Sequence, residues 1–90
     1  MKPGVTAETR EFVLRRDGGC VLARFEPGHV CCGVVEVHHR KLRRHGDHTA
    51  ENLAALCTAG HRWVHDHPAV SYAHGLLLKS WDYVIPLGEL

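Results

Sequence analysis

Six of the nine histidines in this chain fall between Glu36 and His65, in the stretch EVHHRKLRRHGDHTAENLAALCTAGHRWVH. Near neutral pH an imidazole can ligate a divalent cation through a neutral ring nitrogen, and it can take or give a proton. His61 and His65 stand four apart in a segment that reads as helix. That spacing turns both rings to nearly the same face, where they could bind one cation. A third imidazole from the pair His38-His39 would complete a site with three protein ligands and open positions. Catalytic sites keep such positions and structural zinc sites do not. A spare imidazole beside the ion could serve as general base. Neighbouring strand residues point to opposite faces, so both histidines serve one site only if the strand ends, bends or bulges there, or if substrate lies between them. The plain alternatives are solvated histidines on a surface helix and a half-buried strand histidine bonded to backbone. Asn52, which follows a basic loop, could pin that loop by bonding its backbone.

The elements that must place these groups follow from caps, breakers and periodicity. TAETREFVLRRDGG predicts a helix capped by Thr6 and stopped at Gly18-Gly19, with Phe12 and Val13 on an apolar side and Arg16 on a basic one. CVLARF predicts a short strand, and EPGHVCCG a loop. VVEVHH alternates and is β-branched, which predicts a strand. RKLRRHGDHTAEN is a polar, basic loop with a Gly-Asp turn, and LAALC is a second short strand. TAGHRWVHDH predicts a helix ended by Pro68, with Trp63 as its core anchor. PAVSYAHG predicts a short helix with Pro68 at its start and Gly75 past its end. The apolar tail LLLKSWDYVIPLGEL is expected to pack back on the core in extended form. The centre of the chain is thus a β-hairpin feeding one helix.

Ninety residues make one small domain with a thin core, in which a bound ion would help stability. A composition of 44% apolar and 23% charged residues argues against wholesale disorder. No run of about 18 apolar residues is present, so no membrane span is expected, and the polar start MKPGVTAETREF does not read as a signal peptide. A cytoplasmic location is therefore expected. There Cys20, Cys31, Cys32 and Cys57 would stay reduced, and beside so many histidines they read better as metal ligands than as disulfides. The formal charge of +1 says little about partners, but Arg40, Lys41, Arg43 and Arg44 cluster. Beside a cation site they could grip phosphates, with Arg62 on the helix adding a contact. Solubility is the bland alternative.

VHH, then Asn52, then HRWVH resembles the signature of HNH endonucleases, which share the ββα-metal (His-Me finger) fold. Eight residues separate Asn52 from His61, as in many members, and RRDGGC and ENLAALC resemble small HNH proteins of phages and bacteria. The resemblance runs from about Arg15 to His65. It implies an α+β fold in which a β-hairpin and a metal-bearing helix form the core motif (about 34–67) of a single domain spanning 1–90, with an N-terminal helix and an apolar C-terminal tail. It implies hydrolysis of DNA phosphodiester bonds, as nicks or double-strand cuts of weak sequence specificity. His39 would be the general base, and His38, His61 and His65 would hold the divalent cation. Asn52 would orient the loop carrying the base, and Glu36 could be a carboxylate that orients a ligating imidazole. No carboxylate cluster is present for a second ion, so a one-metal mechanism is expected. Neutral imidazoles suit zinc, nickel or manganese, while members with Asp in place of His38 favour magnesium, so the metal stays open. DNA is the implied partner, in the bacterial or infected host cell, and small members often act with a protein such as a phage packaging motor. The alternative reading is a non-catalytic nucleic-acid-binding or zinc-binding module of the same shape.

Many such proteins bind a structural zinc through two CxxC knuckles. Here the knuckles read Cys20-Val-Leu-Ala23 and Cys57-Thr-Ala-Gly60. A rearranged zinc site could use Cys20, Cys57 and one or both of Cys31 and Cys32, with His29 as a candidate fourth ligand. Otherwise these cysteines are small buried hydrophobes.

Overall fold

The first helix, α1 (Ala7–Asp17), starts where Thr6 Oγ1 accepts from the Thr9 amide at 3.1 Å, and it stops at Gly18, whose φ of 69° suits glycine. The computed structural model describes residues 4–41, 48–85 and 87. After α1 come α2 (Leu22–Phe25), β1 (Val35–His39), a 3-10 turn (Ala50–Asn52), β2 (Leu53–Cys57), α3 (Thr58–Asp66) and α4 (Pro68–His74). The strands pair antiparallel from Val35 opposite Cys57 to His39 opposite Leu53, giving an α+β arrangement of one two-stranded sheet with helices. Among the described residues no helix is long and apolar enough to cross a membrane.

Every residue of β2 is buried, because α1 packs on the strand as well as α3. That explains why LAALC is a continuous apolar run rather than an alternating one. The outer edge of β2 is closed by polar groups from the end of α1. Arg16 donates to the Leu53 carbonyl at 2.8 Å, Asp17 Oδ2 accepts from the Ala55 amide at 2.8 Å, and Val21 N–H donates to the Ala55 carbonyl. An edge so occupied at Leu53 and Ala55 offers few pairing groups to another chain.

CVLARF differs from expectation. It makes that single strand-like bond and then turns into α2. Val21 and Leu22 stand four and three before Phe25, so one helical turn presents all three to the core, which a strand could not do. The core joins them to Ala54, Leu56, Val64, Leu76 and Leu77. A fully buried Leu among these is worth about 1.5–3 kcal/mol. On α3, Val64 and Gly60 are buried, and Val64 supplies the apolar side chain. Trp63, expected to anchor the helix, is half-buried and stacks on His67 at 4.3 Å. Ser71 Oγ bonds the Val64 carbonyl at 3.0 Å and fixes α4 against α3.

The tail returns to the core as expected at Leu76, Leu77 and again at Leu87, while residues 86 and 88–90 lie outside the described residues. Leu76 and Leu77 are buried, and Leu78 forms a parallel bridge with Lys41, but Trp81 and Tyr83 are exposed. Phe12, expected inside, is exposed while Val13 is buried.

Candidate metal centres

Strand β1 and helix α3 bring His38, His61 and His65 together, with one ligating nitrogen of each within 4.8 Å of the others. His61 and His65 lie one turn apart on α3, and their Nε2 atoms are 3.2 Å apart. Tetrahedral bonds of about 2.05 Å to a shared cation would hold two nitrogens roughly 3.3 Å apart, so the pair is already at ligand spacing. His38 is buried and sits opposite Ala54, a small neighbour that leaves room for the ring. Its Nε2–H donates to the Leu76 carbonyl at 2.7 Å, which leaves Nδ1 as the lone-pair nitrogen. Burial pushes His38 down to about 4, and the charges of His61 and His65 add to that, while the Leu76 bond opposes it. Burial, then His65, also lowers His61. Both shifts favour the neutral, ligating form. The donor set therefore fits a divalent cation of the zinc, nickel or manganese type. A shallow groove of about 180 Å³ runs past His38 and His61.

Glu36, expected to orient an imidazole, does not reach one. Its carboxylate pairs with Arg10 at 2.9 Å on the surface, and the carbonyl of Leu76 takes the orienting role. Backbone carbonyls leave no mark in a sequence, so residue types pointed to the carboxylate instead.

His39 ends β1 on the opposite face from His38. Its Nε2 shares a hydrogen bond with Nδ1 of His48 at 2.9 Å. Asn52 is fully buried. Its Oδ1 accepts from the Lys41 amide at 2.9 Å, its Nδ2 donates to the Lys41 carbonyl at 3.2 Å, and its own carbonyl accepts from Arg40 N–H. The side chain thus adds a rung to the hairpin just beyond His39 and clamps the start of the basic loop, as its position suggested.

The basic residues divide. Arg40 is buried, with Nε donating to the Gly75 carbonyl and Nη1 to the Glu51 carbonyl, so it is not an exposed phosphate grip. Strand alternation places it on the side of His38, beneath the returning tail. Lys41 donates to the Asp82 carbonyl, Arg62 is exposed on α3, and Arg43 and Arg44 lie outside the described residues.

A second cluster lies at the other end of the hairpin. Cys20, His29, Cys31 and Cys57 place one ligand atom each within 4.8 Å of the others, and this cluster could hold a metal ion such as zinc. His29 Nε2 is 3.4 Å from Cys57 Sγ and 3.9 Å from Cys20 Sγ. Zinc bonds of about 2.3 Å to sulfur and 2.05 Å to nitrogen would place them roughly 3.6 Å apart. Burial raises the Cys57 thiol, but hydrogen bonds from the Cys32 backbone, His29, the Gly60 amide and Cys20 outweigh it and bring Cys57 down to about 6. Gly60 donates to that sulfur at 3.2 Å, and a Cβ there would lie 3.0 Å from Cys20 Sγ, so the broken knuckle keeps glycine where its second cysteine is missing. Cys32 is not one of the four. It offers its backbone, and its thiol lies outside the cluster, since adjacent residues of an extended chain face opposite ways. Gly33 follows with φ 88°, and a Cβ there would lie 2.4 Å from Thr58 Oγ1. The loop can close against the start of α3 only with glycine.

Comparison with known proteins gives no match: no family model, no curated protein and no solved structure corresponds to the chain.

Proposed function

We propose that the chain is a metal-dependent endonuclease of the HNH type, with the ββα-metal fold, hydrolysing DNA phosphodiester bonds with weak sequence specificity. The observation that carries this reading is the convergence of His38, His61 and His65 beside a strand end that also bears His39, with Asn52 locking the turn behind it. A divalent cation held by the three imidazoles would supply positive charge to the phosphoryl oxygens and to the departing 3′ oxygen. With substrate lying across the strand end, between the faces of His38 and His39, His39 would take the proton of the attacking water, a role worth about 10²–10⁴ in rate. His48 fixes the His39 ring through their shared hydrogen bond. Asn52 holds the backbone after His39, so the base keeps its place when the loop meets substrate. Arg62, exposed on α3 between His61 and His65 in sequence, would contact a phosphate of the substrate, a role the reading also gives to Arg43 and Arg44, which lie outside the described residues.

The cluster Cys20, His29, Cys31 and Cys57 favours a structural zinc. Three thiol donors and one imidazole make a closed donor set, and Cys57 caps the helix that carries His61 and His65. The same cluster is the specific support for a second reading, a zinc-binding module without catalysis.

Plasmid cleavage separates the two. Zinc-loaded protein supplied with Mn²⁺, Ni²⁺ or Mg²⁺ is expected to nick or linearise supercoiled DNA, and EDTA or His39→Ala is expected to stop it. Absence of cleavage with every metal, or a His39→Ala protein as active as the parent, would sink the nuclease reading.

A further inference from the structure

Arg40 is an unusual residue to bury. It is 1% exposed, its Nε and Nη1 donate to the backbone carbonyls of Gly75 and Glu51, and its Nη2 is buried with no hydrogen-bond partner among the described residues. No described carboxylate forms an ion pair with it. Buried charges are normally paired, and a guanidinium held only by carbonyls keeps its full charge uncompensated. The neighbourhood adds to that charge. The Arg16 guanidinium borders the same space as Arg40. The nearby Asp17 carboxylate is already committed, to Arg16 at 2.8 Å and 3.1 Å and to the Ala55 amide.

These groups border a cavity of about 330 Å³ between α1 and the 3-10 turn, at the lower end of the size range of small-molecule sites. Arg16, Arg24 and Arg40 line it, together with the apolar side chains of Phe12, Leu53 and Leu87. Asp17 and Glu51 are the carboxylates on its wall, so three cations face two anions, and Glu51 is exposed. No residue of the cavity belongs to either metal cluster.

We infer that this cavity binds a compact phosphoryl group, as inorganic phosphate or as the head of a phosphate monoester, with Arg40 Nη2 and the Arg24 guanidinium as its donors. Guanidinium forks match the oxygens of a phosphoryl group and form charge-assisted bonds to it. The apolar wall favours the monoester, because it can cover an organic substituent. The site stands apart from the proposed cleavage chemistry and does not depend on it.

The arginine Nε–H signals of zinc-loaded, ¹⁵N-labelled protein test this. The titrants are sodium phosphate, phenyl phosphate and, as a monoanion control, sodium acetate, all at one ionic strength. Saturable shifts centred on Arg40 and Arg24 are expected with both phosphates, with phenyl phosphate saturating first and acetate giving little. Saturation by only one of the two would still support the site and identify its source as free phosphate or ester. Arg24→Gln, a change at an exposed side chain, is expected to raise the half-saturation concentration about tenfold, the worth of one charge-assisted bond. Shifts that never saturate, saturable shifts confined to arginines outside the cavity, or an Arg24→Gln protein that binds as the parent does would overturn the proposal.

Discussion

The two candidate metal centres stand on the same short piece of chain, β2 running into α3, yet their donor sets differ in kind. At the Cys57 end, donors from Cys20, the loop holding His29 and Cys31, and the end of β2 make a set of four, three of them sulfur. One turn further along α3, three imidazoles gather, one buried and two exposed, beside a groove. Four soft donors complete a coordination shell and leave nothing for substrate, whereas three nitrogens leave a position that water or phosphate can take. The difference teaches how a chain of this size can combine stability with reactivity. An ion held at the cysteine cluster and an ion held by the three imidazoles would share a helix without sharing ligands.

That comparison can be broken most directly at the Cys centre. Cys57→Ser is expected to abolish tight zinc binding and cooperative unfolding, since a structural zinc can contribute on the order of 10 kcal/mol to the fold of a small domain. Cys32→Ser should leave stability within about 0.5 kcal/mol of the parent, measured by thermal melting, because its thiol is outside the cluster. Equal losses in the two variants would erase the distinction between them.

At the histidine centre the expected pattern is reversed. His61→Ala should abolish cleavage by at least about 100-fold while changing stability by no more than about 1 kcal/mol, because the side chain is exposed. An unfolded His61→Ala protein would show that this centre is structural too. Asn52→Ala falls between the extremes. Its loss leaves the Lys41 amide and carbonyl unpaired, an expected cost of about 1–3 kcal/mol by denaturant titration. Glu36→Gln is the smallest case. An exposed pair with Arg10 is worth at most about 1 kcal/mol, and cleavage should stay within about twofold of the parent.

The histidine trio was legible because helical and strand periodicities are strong local signals: a spacing of four from His61 to His65, and a β-branched alternation ending at His38. Asn52 was legible for the same reason, as a turn residue with a side chain suited to backbone. What the sequence hid was set by long-range packing. The choice of His29 over Cys32 depends on which way a loop faces after Gly33 turns it. The burial of Arg40 depends on the tail crossing over β1, and the orienting carbonyl of Leu76 comes from that same crossing. The apolar residues of CVLARF fit either period, and the core they meet selects helix over the expected strand.

Metal stoichiometry tests the two-centre claim most directly. Protein loaded with zinc and dialysed against Mn²⁺ or Ni²⁺ is expected to carry one retained zinc and one exchangeable ion per chain. Changing His61 and His65 together to Ala should remove only the exchangeable ion, and cleavage with it. A single ion per chain in the parent protein, or an exchangeable ion that survives the loss of both histidines, would contradict it.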